Sequence, residues 1–267
     1  MSQHPIPVLL YEIIQELRAR NPDRIPLVGV AGAQGSGKSY QCRILTMANQ
    51  PRFAHFSLDD VYMLRKHREE RAAEAHPLFA TRGVPGTHDL GIARATIMQL
   101  RHDNPPTAVP LPRFDKATDA RLPREARPIF QSPADAIVMD GWCLGALPQD
   151  DAALAAPVNE LERSEDADGV WRRYVNDELS GAYRQFFDGF DAIVYLRPPN
   201  WEIVRTWRKQ QEEQMLGRPL NDDEEKWLDR FLMHYERITR SMMAGNHRAK
   251  RIVQLDEARN VMRIEEV

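Results

Sequence analysis

The sequence has little of several features that mark common classes of protein. Its two cysteines, Cys42 and Cys143, show no metal-binding spacing, so we expect them to pack inside a protein of the reducing cytoplasm. No apolar run approaches the roughly 20 residues of a membrane span, and the N-terminus lacks the apolar core of a signal peptide. The net charge of −3 argues against a broad surface for nucleic acid. These features predict a soluble chain with neither membrane nor nucleic acid as its partner.

The segment 25–40, IPLVGVAGAQGSGKSY, contains a phosphate-binding motif. A short apolar run precedes Gly32, residues 32–39 match G-x-x-x-x-G-K-[ST], and a helical pattern follows. In this arrangement the backbone N–H groups surround phosphate oxygens, Lys38 reaches the outer phosphates, and the Ser39 hydroxyl binds Mg²⁺. The motif predicts ATP and Mg²⁺ as cofactors, with nucleotide contacts from Gly32, Ala33, Gln34, Gly35, Ser36, Gly37, Lys38, Ser39 and Tyr40.

Apolar segments alternate with helical patterns along all 267 residues. The predicted strands are 25–31, 52–57, 135–142, 191–199 and 251–256. Such alternation is typical of a parallel sheet covered by helices on both faces. We therefore expect one P-loop NTPase domain over residues 1–267, an α/β three-layer sandwich with a five-stranded, mainly parallel sheet. An insertion at about 77–130, rich in proline and broken into short pieces, is predicted to form a lid that binds the phosphoryl acceptor.

Polar side chains follow several of the predicted strands. Asp59 and Asp60 end the second strand, Asp140 ends the third, and Arg197 ends the fourth. The carboxyl ends of parallel strands share one edge, where ligands bind. Asp140 fits the position of an acid that holds Mg²⁺, and either Asp59 or Asp60 is a candidate general base.

Cations near this edge are candidates for stabilising the transferring phosphoryl group. Lys38 lies in the motif, and Arg205 and Arg208 lie on the helix after the fourth strand, from which they could close over the phosphates. We favour Arg208. The sequence lacks the N-K-x-D motif that reads guanine, so a GTPase is not expected. Polar loops between the second and third strands instead favour transfer to a small molecule.

Several longer motifs together resemble the plant-type D-glycerate 3-kinases and their bacterial and fungal relatives. They are GSGKS, SLDD with Tyr62, HPLFATRGVPGTHD, PRFDKATDAR, DGWCLG, PVNELE, VRTWRKQQE and RFLMHYERITR. A weaker likeness extends to the uridine kinase, pantothenate kinase and phosphoribulokinase group. The resemblance implies a P-loop kinase, ATP with Mg²⁺, and transfer to a primary hydroxyl. It also implies Asp59 as the base, with Asp60 second. Val61, Tyr40 and Asp140 depart from the family's usual phenylalanine, threonine and glutamate.

The resemblance points to D-glycerate as the acceptor and 3-phosphoglycerate as the product. The acceptor's carboxylate needs cations or N–H donors. The predicted acceptor-binding residues are Asp60, Tyr62, Arg82, His88, Asp89, Arg113, Asp115, Lys116 and Arg121. Arginine greatly outnumbers lysine, which makes Lys116 the stronger candidate among the cations. Nucleosides, pantothenate and phosphopentoses remain alternative acceptors, and a non-catalytic ATP-binding regulator is an alternative from another class. The oligomeric state stays open.

Overall fold

A six-stranded sheet forms the centre of the molecule in the computed structural model, which describes residues 4–102 and 105–267. Two short stretches lie outside these ranges. They are residues 1–3, at the N-terminus that we expect to lack a signal peptide, and residues 103–104, in the predicted insertion. The strands of the central sheet are β1 (Leu27–Gly32), β2 (Phe53–Ser57), β7 (Ala136–Gly141), β8 (Ala192–Arg197), β9 (Arg251–Leu255) and β10 (Val261–Glu266). Their spatial order is β10-β9-β8-β1-β7-β2, and only β10 runs antiparallel to its neighbour.

Helices cover both faces of the sheet. They are α1 (Pro5–Arg20), α2 (Lys38–Ala48), α3 (Arg65–Glu74), α4 (Leu90–Arg101), α5 (Asp151–Ala155), α6 (Glu160–Glu165), α7 (Val170–Ser180), α8 (Ala182–Phe187), α9 (Glu202–Leu216) and α10 (Asp222–Met243). A capping box begins α10, because Asn221 and Glu224 exchange side-chain and backbone hydrogen bonds. Among the described residues, no helix is both long and apolar enough to cross a bilayer.

The sheet has an apolar core on each face, and side chains of β1 alternate between the two. All six residues of β1 are buried. Val28 and Val30 pack in the core that α1 and α2 cover, whereas Leu27 and Ala31 belong to the core on the opposite face. Because successive side chains of a strand point to opposite faces, an interior parallel strand must be apolar throughout. The predicted three-layer α/β sandwich is thereby confirmed.

The insertion between α4 and β7 contains two small antiparallel pairs. They are formed by β3 (Ala108–Pro110) with β6 (Ile129–Gln131), and by β4 (Phe114–Asp115) with β5 (Ala120–Arg121). The helix α3, which precedes this region in the chain, is highly charged, and such a pattern is typical of a solvated helix face. In the structure Arg68 of α3 is buried and forms an ion pair with Asp119 of the β4–β5 turn. The insertion is therefore anchored to α3 by a buried cation.

Two further details differ from the expected elements. The sheet has a sixth strand, β10, which pairs with the edge of β9. Its alternating charged and apolar residues lie on a largely exposed edge strand, so they lack the apolar run that marked the other five. The apolar residues of 168–188 have the spacing of one helix, but Gly181 interrupts it and separates α7 from α8.

Candidate functional site

A cavity of about 580 Å³ lies where the parallel strands reach their carboxyl ends. That volume is typical of small-molecule sites. It is lined by residues 34–39 of the phosphate-binding loop, by Tyr40, Gln41 and Arg43 of α2, by Asp59, Lys116, residues 140–142 and Arg259, and by Arg208, Gln211 and Gln214 of α9. Residues that are far apart in sequence thus meet at the carboxyl edge of the parallel sheet, where the sequence predicted a ligand site.

The phosphate-binding loop has the geometry expected of an anion cradle. Gly35 and Gly37 adopt φ values of 75° and 87°, which are accessible mainly to glycine. Helix α2 begins at Lys38 without a side-chain cap, so its first N–H groups stay free for a ligand. Lys38 Nζ donates to the Ala33 carbonyl at 2.9 Å. Burial lowers the pKa of Lys38, although Asp140 and Asp59 partly offset this effect.

Asp140 is the buried carboxylate of the site, 1% exposed at the end of β7. Its Oδ1 accepts hydrogen bonds from Ser39 Oγ at 2.9 Å and Ser57 Oγ at 3.1 Å, and its Oδ2 lies 2.7 Å from His55 Nε2. Hydroxyl and carboxylate oxygens are the ligands that Mg²⁺ prefers. The side chains of Ser39 and Asp140 therefore fit a magnesium ion, and Ser57 and His55 hold Asp140 in place.

The structure separates the two candidate bases, Asp59 and Asp60. Asp59 lines the cavity, with Oδ1 accepting from Tyr62 Oη at 2.8 Å and Oδ2 accepting from Lys116 Nζ at 2.5 Å. Burial alone would raise the pKa of Asp59, but Lys116 and Tyr62 hold it below its usual range. Asp60 instead accepts from the Ser57 backbone N–H at 2.9 Å and caps the 3₁₀ turn that contains both acids.

The contacts of Asp60 hold the local fold together. Its second contact is Arg113 Nη1 at 2.8 Å, and burial raises its pKa despite this cation. Both Asp60 and Arg113 lie outside the lining of the cavity. Of the two acids, only Asp59 is thus placed where a reacting hydroxyl can enter.

Lys116 is the predicted acceptor-binding cation that the fold brings into the cavity. It lies in the β4–β5 turn, and Arg82 Nη2 donates to its carbonyl at 3.1 Å. Arg82 also donates to Asp119 at 2.5 Å and stacks over Phe114, so its own charge is engaged. Arg82 therefore holds the turn that presents Lys116.

The other predicted acceptor-binding residues form internal contacts outside the cavity lining. Arg121 donates to Asp89 at 3.0 Å and to the Tyr62 carbonyl at 2.8 Å, and Asp89 also caps α4. Asp115 accepts two hydrogen bonds within its own turn. His88 is buried, with Nδ1 2.6 Å from Tyr183 Oη. Burial lowers the pKa of His88 to about 4, so its ring is neutral at pH 7.

The two arginines of α9 have different surroundings. Arg208 lines the cavity, stacks over Phe231, and bonds Gln211 at 3.1 Å together with Glu212. Arg205 faces α10 and pairs with Glu225 and Asp229. Of these two arginines, Arg208 lines the cavity and Arg205 does not, so Arg208 stays the candidate cation for the phosphates.

The sequence interpretation missed several residues of the cavity. Arg259, which follows β9, and Trp142, two residues after Asp140, both line the cavity. His55 lies outside the lining but contacts Asp140 from β2. The predicted fifth strand ended at Asp256, and its carboxyl end shares the edge of the other parallel strands. That signal was sufficient to place residues 256–260 near the ligand, and thereby to find Arg259.

Comparisons with known proteins agree with this fold. No protein-family model matches the chain. The chain is 27% identical over 225 residues to the "uncharacterized kinase mug58" of Schizosaccharomyces pombe, with 78% of each protein covered. It is 24% identical to the "probable ATP-dependent kinase TDA10" of Saccharomyces cerevisiae, covering 77% of this chain and 75% of that protein.

Among solved structures, the D-glycerate 3-kinase from Cryptococcus neoformans has a TM-score of 0.78 at 20% identity, covering 98% of this chain and 99% of that one. The structural likeness confirms the P-loop kinase fold, and the names of both sequence relatives describe kinases.

Proposed function

We propose that this protein is an ATP-dependent kinase that phosphorylates the primary hydroxyl of a small anionic acceptor, with D-glycerate as the best-supported substrate. The observation that carries this proposal is the contact of Lys116 with Asp59 inside the cavity that also holds Lys38, Ser39 and Asp140. A base, a cation for an anionic acceptor and a phosphate cradle are thereby present in one space. The similarity to a D-glycerate 3-kinase over almost the full length supports the choice of acceptor.

In this proposal the phosphate-binding loop and the start of α2 bind the triphosphate through backbone N–H groups. Lys38 exchanges its bond to the Ala33 carbonyl for the outer phosphates, and Arg208 stabilises charge on the transferring group. Ser39 and Asp140 would hold Mg²⁺, which supplies positive charge beside the phosphate oxygens. Three separate cations thus meet the charge that develops during transfer.

Asp59 is proposed as the general base. Tyr62 fixes one carboxylate oxygen, so the other oxygen can accept the proton of the acceptor hydroxyl once Lys116 moves to the acceptor. The O–P bond to the acceptor forms as the bond to the leaving ADP oxygen breaks. The carboxylate of the acceptor pairs with Lys116, which explains why the acceptor should be an anion.

A direct test measures acceptor-dependent release of ADP by the purified protein. D-glycerate should stimulate release, and the product should be identified by ³¹P NMR as the 3-phosphate. Glycerol carries a hydroxymethyl group in place of the carboxylate of glycerate, so it is the neutral control and should stimulate little release. Equal stimulation by glycerol or uridine would contradict an anionic acceptor, and no stimulation by any hydroxyl compound would contradict a kinase.

The Lys38→Ala variant supplies the matching control for the enzyme. It should keep the fold but lose turnover by orders of magnitude, because a cation is removed from the phosphoryl group. Full turnover in a folded Lys38→Ala protein would show that the measured activity does not come from this site.

A further inference from the structure

Three side chains of metal-binding type meet next to the phosphate-binding loop. They are Cys42 of α2, His55 of β2 and Asp140 of β7. A ligand atom of each lies within 4.8 Å of the ligand atoms of the other two, and His55 Nε2 is 2.7 Å from Asp140 Oδ2. Cys42 and Asp140 are buried, and His55 is partly buried. The sequence shows no metal-binding spacing around Cys42, so the fold alone creates this cluster.

The register of the sheet explains why the three side chains converge. His55 and Ser57 are two residues apart in β2, and Ser57 lies opposite Asp140 in the parallel pair of β2 and β7. Since alternate residues of a strand share a face, His55 and Asp140 both point toward the core that contains Cys42. Cys42 follows Ser39 by three residues on α2, so both lie on one side of the helix. Helix α2 therefore presents a hydroxyl and a thiol to the same carboxylate.

A thiol, an imidazole and a carboxylate form a ligand set that suits zinc better than magnesium. Zn²⁺ binds sulfur, nitrogen and oxygen at about 2.0–2.3 Å in a tetrahedron, so its ligand atoms lie about 3–4 Å apart. Small side-chain movements bring the cluster to that spacing. Mg²⁺ prefers an octahedron of oxygen ligands, whereas thiolate and imidazole select softer ions. The cluster thus differs in chemistry from the magnesium site of Ser39 and Asp140.

A zinc ion also balances the charges of this buried cluster. The thiolate of Cys42 and the carboxylate of Asp140 carry two negative charges, which Zn²⁺ cancels, and His55 binds as a neutral imidazole. The thiol proton leaves to the solvent when the sulfur binds the metal. Ser39 and Ser57 hold Asp140 through its other oxygen, Oδ1, and so orient the ligand. Asp140 lines the cavity, which gives an ion a path to the cluster.

We propose that Cys42, His55 and Asp140 form a binding site for a thiophilic divalent cation, Zn²⁺, which inhibits the protein. This site and the magnesium site share Asp140. A bound Zn²⁺ therefore withdraws the carboxylate from Mg²⁺, and turnover falls. The metal site stands on the cluster itself, whereas its inhibitory effect rests on the proposed function.

A purely structural role of the cluster makes a different prediction. In that case Cys42 only packs in the core, His55 only holds Asp140 by a hydrogen bond, and a soft metal ion obtains no sulfur ligand. Co²⁺ separates the two roles, because it occupies zinc sites and absorbs light. When a thiolate binds Co²⁺, a charge-transfer band appears in the near ultraviolet, which oxygen and nitrogen ligands do not produce.

The experiment titrates the full chain, freed of metals and without a histidine tag, with Co²⁺ and then with Zn²⁺. The wild type should show the thiolate band with equimolar Co²⁺, and Zn²⁺ should abolish it. Cys42→Ser should lack the band. His55→Gln should keep it with an affinity weakened at least about ten-fold. Absence of the band in the wild type, its presence in Cys42→Ser, or an unchanged affinity in His55→Gln would overturn the three-ligand site.

The second cysteine supplies a matched control. Cys143 is buried like Cys42 but lies outside the cluster, so Cys143→Ser should keep the band. Loss of the band in Cys143→Ser alone would overturn the assignment to Cys42. Cys42→Ala guards against misfolding, because its own melting transition shows that it is folded. Zn²⁺ should raise the melting temperature of the wild type and of Cys143→Ser but not that of Cys42→Ala.

Inhibition is measured separately, as acceptor-dependent release of ADP at fixed ATP and Mg²⁺. Zn²⁺ should inhibit the wild type, added Mg²⁺ should relieve the inhibition, and Cys42→Ser should need at least about ten-fold more Zn²⁺ for the same loss. Equal sensitivity of both proteins would overturn the inhibitory role. The Co²⁺ titration needs neither ATP nor acceptor. A protein that binds Zn²⁺ through Cys42 but phosphorylates no acceptor would refute the proposed function alone, whereas an active kinase without the thiolate band would refute this inference alone.

Discussion

Lys116 Nζ lies 2.5 Å from Asp59 Oδ2, so the cation proposed for the acceptor and the carboxylate proposed for its proton form one ion pair in the free protein. The two side chains are 43% and 31% exposed. Pairs with such access to solvent contribute only about 0–1 kcal/mol to stability. An anionic acceptor that pairs with Lys116 can therefore separate them at small cost and leave Asp59 free to accept a proton.

Asp59 and Asp60 should respond differently to the same substitution. Asp59→Asn should lower turnover about 100- to 10,000-fold, because the amide cannot take the proton, while ATP still binds. Asp60→Asn should keep most turnover. Its main effect should be a loss of about 1 kcal/mol of unfolding free energy, since it weakens a cap and an ion pair. Turnover, ATP calorimetry and urea unfolding measure the three effects. Loss of turnover in Asp60→Asn alone would transfer the role of base to Asp60.

Lys116→Met should raise the KM for the acceptor about ten-fold to over a hundred-fold and leave the KM for ATP nearly unchanged. A charge-assisted contact to the acceptor carboxylate is lost, worth about 1.5–3 kcal/mol. Arg82→Ala should have a similar but smaller effect, because Arg82 holds the Lys116 carbonyl from outside the cavity. The matched control is Arg113→Met, whose arginine pairs with Asp60 outside the cavity lining. An equal effect of Arg113→Met would assign the carboxylate pocket elsewhere.

Much of the fold was predictable because it depends on local patterns. The apolar run of β1, the glycines after it and the helical start of α2 lie within a single segment, so sequence alone placed the cradle. Asp140 was also predictable, since an acid that ends an apolar strand lies at the ligand edge.

The remaining parts of the site depend on contacts between distant segments. Arg68 and Asp119 pair across 51 positions, and Arg259 and Gly35 across 224. No periodicity encodes such contacts. The choice between Asp59 and Asp60 was different, because Ser57 and Asp60 have the spacing of a capping box that the sequence displays. That signal assigns Asp60 to the cap and leaves Asp59 for the ligand.

The pKa of Asp59 should rise when Lys116 is replaced by methionine, because burial then acts without its main opposing charge. In the wild type the folded pKa lies below the unfolded value. Ionised Asp59 therefore favours folding above about pH 4, and this contribution disappears as the pH falls through the folded pKa. Titration by ¹³C NMR of labelled aspartate carboxyls, assigned with Asp59→Asn, should show the shift toward higher pH. An unchanged titration would mean that Lys116 does not control the charge of the base.

Ser39→Ala should raise the Mg²⁺ concentration needed for half-maximal turnover, because an oxygen ligand is lost next to Asp140. Ser57→Ala is the matched control, since Ser57 bonds the same carboxylate oxygen from β2 and lies outside the cavity lining. Its Mg²⁺ requirement should change much less. A Mg²⁺ titration of Ser39→Ala that coincides with the wild type would exclude Ser39 as a ligand.

Gly35→Ala should destabilise the protein more than Gly37→Ala, although both glycines have positive φ values in the same loop. A Cβ at Gly35 would lie 2.6 Å from the Cβ of Trp207, whereas a Cβ at Gly37 meets no atom within 4 Å among the described residues. Both substitutions therefore carry the backbone cost of about 1–2 kcal/mol, and Gly35→Ala adds about 1–3 kcal/mol of overpacking against α9. Urea unfolding without nucleotide isolates this difference, because Gly37 borders the space of the ligand. Equal unfolding free energies for the two variants would mean that the loop does not pack closely against Trp207.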